Sequence, residues 1–172
     1  MSSSRPSWDV FYLGLAKYVA QRSTCLTRQV GMVLVKDKRI LATGYNGTPS
    51  GFCHCDMGGC QRCADRMTGK VKTGGGYDVC RCVHSECNLA AQCCLHGVSP
   101  EGGTVYCRYL PCAYCSLLLV SMKIKRYVYT ENADSDSMQQ GFNILLEAGV
   151  ENNLIDIDAS RRLPLASSSQ FV

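Results

Sequence analysis

The chain has 172 residues, enough for one domain with a substantial buried core. Its 18 Lys+Arg stand against 14 Asp+Glu, a net charge of +4 with no run of five like charges, which excludes a polyanion groove as the organising feature. No apolar run reaches the roughly 18 residues of a membrane span, and the start MSSSRPSWDVFYLG lacks the basic opening, apolar stretch and small-residue cleavage site of a secretory leader.

The first residues read as a polar leader. From Ser7 to Arg22 the sequence places Trp8, Phe11, Tyr12, Leu15 and Val19 at helical spacing behind Ser7 as N-cap. GMVLV and RILATGYN are β-rich runs joined by the short KDK, which predicts a hairpin. Residues 47–80 carry glycines and cysteines with little periodicity. Irregular chain of that length needs something other than an apolar core to hold it, and metal is the candidate. His84 to His96 reads as a helix, with Leu89, Ala90, Cys93 and Cys94 facing inward and Gly97 as C-terminal cap. GTVYC at 103–107 is a strand, and Pro111 opens a second helix, CAYCSLLLVSM. IKRYVYT gives a strand, SMQQGFNILLEAG an amphipathic helix ending at Gly149, and VENNLIDID a last strand. The tail SRRLPLASSSQFV reads as loose. The order α-β-β-α-β-α-β-α-β predicts an α/β fold with a mixed sheet and helices on both faces. It fits a single domain over 1–172, with its core at about 7–157 and flexible termini.

Thirteen cysteines fall in C-x-C and C-x-x-C clusters. That usage points to metal thiolates in a reducing, cytoplasmic compartment rather than to a disulfide framework. Cys112 and Cys115 lie three apart at the start of one predicted helix, and His84 starts another. Three such ligands with one open position make a catalytic zinc site. Glu86, two positions after His84, points into that site without ligating. Zinc lowers the pKa of its water from ~15.7 to near 7, and a carboxylate can take that proton and return it to a ring nitrogen and a leaving amine. The H-x-E…P-C-x-x-C spacing is the general pattern of zinc nucleobase deaminases. Set against it is a zinc-stabilised interaction module without catalysis, which has no use for an acid beside an open zinc.

The stretches SWDVFYLGLAKYVAQRSTC, VGMVLVKDKRILATGYNGTPSG, HC at 54–55, GGCQRC, VHSECN, LPCAYC, IKRYVYTE and EAGV follow one another in a familiar order over about residues 7–150. By these motifs the chain resembles the deoxycytidylate deaminases of the cytidine and deoxycytidylate deaminase superfamily. The resemblance implies a three-layer α/β/α fold with a mixed central sheet of about five strands. It also implies hydrolysis of dCMP to dUMP with release of ammonia, supplying dUMP for thymidylate synthesis, and a homo-oligomer with the hexamer favoured. His84, Cys112 and Cys115 match the family's catalytic zinc ligands and Glu86 its proton shuttle. Asn46 in GYNG matches a residue that contacts the nucleotide sugar and base. The Ser85 backbone would hydrogen-bond the pyrimidine, with Arg28 and neighbouring Ser23 or Thr24 as phosphate contacts.

Many relatives carry a second, structural zinc, and Cys25 and Cys55 match positions used there. The expected set is Cys25, Cys55, Cys60 and Cys80, chosen over Cys63 and Cys82. Cys53, His54, Cys63 and Cys82 are then left for a third metal or for plain burial, while Cys87, Cys93, Cys94 and Cys107 read as core. Ser85 replaces the usual Ala of H-A-E, and Leu89 an Ala. Leu95 is apolar where relatives that respond to dCTP and dTTP often carry a basic residue. After YTE the chain reads NAD, where relatives often place a Tyr near the phosphate. The alternative substrate is therefore dCTP or a modified dCMP. No nucleic-acid or membrane partner is expected.

Overall fold

The computed structural model describes residues 5–72 and 75–157. Residues 1–4 of the leader and the tail from 160 onward lie outside the described residues. The elements are α1 (Trp8–Ala20), β1 (Gly31–Lys36), β2 (Arg39–Tyr45), α2 (Gln61–Met67), α3 (Ser85–His96), β3 (Thr104–Cys107), α4 (Ala113–Ser121), β4 (Arg126–Tyr129), α5 (Asp136–Glu147) and β5 (Glu151–Leu154). Their order is the expected one except that the short helix α2, with a 3-10 turn on either side at Cys55–Met57 and Tyr77–Val79, forms inside the stretch that carried no periodicity.

Alternation along β1 explains the layering. Val33 and Val35 face one side of the sheet, Met32 and Leu34 the other. On the first side α1 covers them through Tyr12, Leu13 and Ala16, together with Tyr106 and Val128 from β3 and β4, and Ile155 and Ile157 after β5 pack against the same cluster. On the second side α3, α4 and α5 contribute Leu89, Leu119 and Leu145 against Val105 and Tyr127. These side chains are fully buried; each such aliphatic group stabilises the fold by about 1.5–3 kcal/mol. The sheet order is β2-β1-β3-β4-β5. β1 runs antiparallel to both β2 and β3, and β3, β4 and β5 are parallel. This is the mixed five-stranded α/β/α arrangement that the sequence predicts.

Local chemistry accounts for the element ends. Ser7 caps α1 through its side chain, which accepts from the Val10 N–H at 3.3 Å. Asp37 and Lys38 take φ values of 50° and 60°, which makes the β1–β2 connection a two-residue turn of the hairpin type. Gly97 and Gly149, with φ of 63° and 73°, close α3 and α5.

Three expectations shift. The buried stripe of α1 is centred on Tyr12 and Ala16, so Trp8 and Phe11 stand exposed beside it, stacked on or edged against Tyr12. Pro111 does not open α4; the helix begins at Ala113 with Cys112 as its N-cap. Of the four cysteines read as core, Cys93 and Cys107 are buried, whereas Cys87, in the first turn of α3 beside Cys115, and Cys94 are exposed. α1 is clamped to the sheet by a forked ion pair. Arg126 donates to both Asp9 oxygens at 2.8 and 2.9 Å, and the Tyr106 hydroxyl donates to the same carboxylate at 2.9 Å.

Candidate functional site

One edge of the sheet gathers the site. Gly31 at the start of β1 pairs with Tyr45 at the end of β2, and Met32 pairs with Cys107 at the end of β3. The chain leaving β2 pairs again in a single bridge, Gly47 with Val83, which delivers the backbone to His84. Two helices start here. His84 is the N-cap of α3 and Cys112 the N-cap of α4, both in extended conformation.

Two glycines permit the approach. A Cβ on Gly44 would lie 2.4 Å from the Ser85 carbonyl oxygen, so α3 rests directly on β2 backbone. A Cβ on Gly141 would lie 2.2 Å from the Pro111 carbonyl oxygen, so α5 presses on the start of α4 in the same way.

The result is a three-ligand group of His84, Cys112 and Cys115. His84 Nδ1 stands 3.4 Å from Cys115 Sγ and 3.7 Å from Cys112 Sγ. Zinc bonds of ~2.0–2.1 Å to nitrogen and ~2.3 Å to sulfur, set at the tetrahedral angle, require an N···S edge of about 3.6 Å. The donor set and its spacing fit zinc. Among the described residues the group closes at three, and neither Glu86 nor Cys87 belongs to it; a tetrahedral zinc held by these three would have one position left for solvent.

Without a metal the three groups share protons among themselves, and a bound cation would displace those on His84 and Cys115. Cys112 is held down to about 4, chiefly by a hydrogen bond from Cys115, with His84 adding to it. His84 is raised to about 9 by its hydrogen bond to Cys112, against the opposing effect of burial. Cys115 is pushed up by its contacts with Cys112 and Cys87.

Glu86 is 6% exposed. Burial raises its carboxyl pKa, with His84 pulling the other way, and Ser85 Oγ donates to its Oε2 at 3.1 Å. A carboxyl kept in a dry pocket beside an imidazole can hold a proton near neutral pH.

The remaining expected contacts are placed unequally. Asn46 is buried and heavily engaged: its Oδ1 accepts from Ser23 Oγ at 2.7 Å and from Val30 N at 2.8 Å, and its Nδ2 donates to Arg28 O at 2.8 Å. One amide hydrogen remains for a ligand. Ser23 is buried too, its hydroxyl donating to Asn46 and accepting from Cys25 N. Its hydroxyl therefore holds Asn46 in place. Thr24 lies beside Gly47, its Oγ1 3.7 Å from where a Cβ there would be. Arg28 pairs with Asp134 and lies 4.8 Å over the Tyr109 ring. Arg108, absent from the expected set, lies 5.1 Å over the same ring and pairs with Glu131. Thr48 Oγ1, one residue past the Gly47 bridge, is buried without a hydrogen-bond partner among the described residues. Nothing in its sequence neighbourhood marks it.

The cysteine-rich stretch forms a second group, and here the expected set needs correction. The four sulfurs brought together are Cys25, Cys55, Cys63 and Cys82, not Cys25, Cys55, Cys60 and Cys80. Cys60 and Cys63 are three apart at the start of α2, and Cys80 and Cys82 are two apart on extended chain. Each pair faces one way and the two pairs meet as rungs, Cys60 on Cys80 and Cys63 on Cys82, both at 3.9 Å. Cys25 and Cys55 join the second rung, with Cys25 3.8 Å from Cys63.

Residues 6–131 match the family described as the cytidine and deoxycytidylate deaminase zinc-binding region. The chain is 38% identical over 147 residues to the deoxycytidylate deaminase of Schizosaccharomyces pombe, covering 86% of this chain but 44% of that protein. It is 39% identical over 134 residues to the deoxycytidylate deaminase of Mycobacterium phage D29, covering 76% of this chain and 99% of the phage protein. Among solved structures, the dCMP deaminase of cyanophage S-TIM5 in complex with dCMP and dUMP aligns with a TM-score of 0.69 and 26% identity, over 88% of this chain and 98% of that one.

Proposed function

The chain belongs to the cytidine and deoxycytidylate deaminase family, and from that premise we propose that it is a zinc-dependent hydrolase converting dCMP and water to dUMP and ammonia. One observation carries the reading: among the described residues the His84, Cys112 and Cys115 group stops at three ligands and has a buried acid, Glu86, two residues from His84. The relatives named deoxycytidylate deaminase support the choice of nucleotide, and the S-TIM5 enzyme does so with dCMP and dUMP bound.

When bound, zinc supplies a water that ionises near neutral pH. The chain's own residues do the rest. Glu86 accepts the proton shed by that water and donates it to N3 of the cytosine, which makes C4 electrophilic. With the water oxygen bonded to C4, Glu86 would carry that water's second proton to the exocyclic amine, and the C4–N bond breaks to release ammonia. Burial of the carboxyl favours its protonated form and so keeps the proton in the site between the two transfers. The Ser85 N–H, in the first turn of α3 where no helical acceptor exists, meets the pyrimidine. Asn46 spends its remaining amide hydrogen on the nucleotide, and Thr48 offers its buried hydroxyl nearby. Arg28 and Arg108 flank Tyr109 three residues before Cys112, and they offer the cations for a single phosphate. A phosphate there displaces Asp134 from Arg28.

The exposed apolar side chains Tyr114 and Leu117 on α4, with Leu95 on α3, support association into a homo-oligomer, a hexamer by analogy with the family. dCTP and dTTP are the effectors to examine, and a reducing cytoplasm suits the thiolates. The chain acts in this reading as one catalytic domain, with one catalytic zinc and further metal in the cysteine cluster. Among the described residues no helix is long and apolar enough to cross a membrane.

The test is incubation of purified, zinc-loaded chain with dCMP, dCTP, CMP and deoxycytidine, following ammonia release. The reading expects dCMP to turn over fastest. Fastest turnover of dCTP would shift the substrate to the triphosphate, in keeping with NAD standing where relatives often place a Tyr. Silence with every cytosine compound would remove the enzyme reading.

A further inference from the structure

Six cysteines, one buried arginine and one spacing point to more metal than a single structural ion. Cys63 belongs to two groups at once, Cys25–Cys55–Cys63–Cys82 and Cys60–Cys63–Cys80. We propose that this region binds two soft divalent ions, zinc by the donor set, in a six-thiolate cluster in which Cys63, common to both groups, and Cys82, which contacts Cys80 but stands outside the second group, are shared between the ions. Cys25 and Cys55 complete one tetrahedron, Cys60 and Cys80 the other.

Distance is the first support. Zinc–sulfur bonds of ~2.3 Å at the tetrahedral angle give S···S edges of about 3.8 Å. The Cys25–Cys63 and Cys63–Cys82 edges are 3.8 and 3.9 Å, and the Cys60–Cys80 edge is also 3.9 Å. That last pair lies outside the four-sulfur set. One tetrahedral ion takes four ligands, so it would leave Cys60, fully buried, against Cys80 with no metal between them.

Charge is the second support, and it tells the two ends of the cluster apart. Arg62 is 4% exposed. Its Nε donates to Gly75 O at 2.7 Å, its Nη1 points at Cys80 Sγ at 3.8 Å, and its guanidinium lies 4.0 Å over the Tyr77 ring. Its Nη2 is buried without a partner among the described residues. A buried guanidinium needs an anion beside it, and the anion on offer is the sulfur of Cys80. The Arg81 N–H likewise donates to Cys60 Sγ at 3.4 Å. Neutral thiols are weak acceptors, whereas metal thiolates take such donors readily. A metal confined to Cys25, Cys55, Cys63 and Cys82 puts its negative charge at the wrong end for both donors. Two divalent ions with six thiolates leave two negative charges, spread to the Cys60–Cys80 rung where Arg62 and the Arg81 amide meet them. The cluster then does for the irregular stretch what an apolar core does elsewhere, and Cys82 ties it to the Val83–His84 backbone.

Native mass spectrometry of the intact, zinc-loaded chain decides the count. The proposal expects three zinc ions per chain, two in the cluster and one at His84, Cys112 and Cys115, with Cys60→Ser reduced to two. Two ions in both proteins would overturn it. Should Cys60→Ser fail to fold, the cadmium-113 spectrum of the unaltered chain serves instead. Two all-sulfur resonances split by coupling through shared thiolates support the cluster, and a single unsplit all-sulfur resonance overturns it. Neither readout depends on deaminase activity, so an inactive chain holding three ions would still support this inference while removing the function proposed above.

Discussion

Replacing Glu86 by Gln separates the proton carrier from its surroundings. The amide fills the same volume and can still accept from Ser85 Oγ, which bonds the Glu86 carboxylate at 3.1 Å. Only proton transfer is lost. A positioned acid–base group contributes about 10²–10⁴-fold, or roughly 3–5 kcal/mol on the barrier at about 1.36 kcal/mol per decade. The upper end applies here, because Glu86 serves two transfers and the neighbouring His84 and Cys115 are taken up with one another. Stability moves the opposite way. The folded-state pKa of Glu86 is raised, so the fold disfavours its ionised form and loses stability as pH climbs from the unfolded value through the folded one. The amide removes that penalty at pH 7. The prediction is therefore kcat lower by about 10⁴-fold, zinc content unchanged and a melting temperature equal or higher. Ammonia-release kinetics, metal analysis and thermal melts at fixed zinc concentration provide the readouts. A loss below tenfold would show that another group carries the proton, and loss of one zinc would make Glu86 a ligand.

Two further variants probe what positions the site. Gly44→Ala puts a methyl group 2.4 Å from the Ser85 carbonyl oxygen and 2.8 Å from Leu89 N, both backbone atoms. It should destabilise by about 1–3 kcal/mol in urea melts and lower kcat about 10²-fold by moving α3; wild-type values for both would show that the approach does not depend on Gly44. Asp9→Asn removes the carboxylate that Arg126 grips. The Asp9 pKa is lowered chiefly by its hydrogen bond from Arg126, so its contribution is present above the unfolded value of about 3.9 and vanishes as pH falls through the folded value. The wild-type advantage should be about 1–2 kcal/mol at pH 7 and close to zero once the pH has fallen below the lowered folded-state value. Reading the difference between the two proteins cancels loss of metal in acid, and an advantage independent of pH would contradict the assignment.

How far the sequence could be read depended on where each partner lies. His84, Glu86, Cys112 and Cys115 were legible because their chemistry is local: each pair sits within one turn at a helix start, and the two starts meet wherever both helices leave the same sheet edge. The hairpin was local in the same sense. The cysteine cluster was not. Choosing Cys63 over Cys60 and Cys82 over Cys80 depends on how α2 is turned against the extended chain at 80–82, a register set by tertiary contact. Arg28 looked like a free fork because its partner Asp134 is 106 residues away. Ser23 looked available until the fold put its hydroxyl against Asn46. On α1 the periodicity was right but the stripe was displaced toward Tyr12 and Ala16, since Val33, Val35 and Tyr106 beneath determine which side is covered.

The central claim is that water, made nucleophilic at the His84, Cys112 and Cys115 site, replaces the amine of the cytosine ring. Turnover of dCMP in water enriched in oxygen-18 tests this most directly. The account predicts dUMP carrying one heavy oxygen, at C4, with one ammonia released per labelled product. Unlabelled dUMP, or a product that keeps its nitrogen, would contradict it.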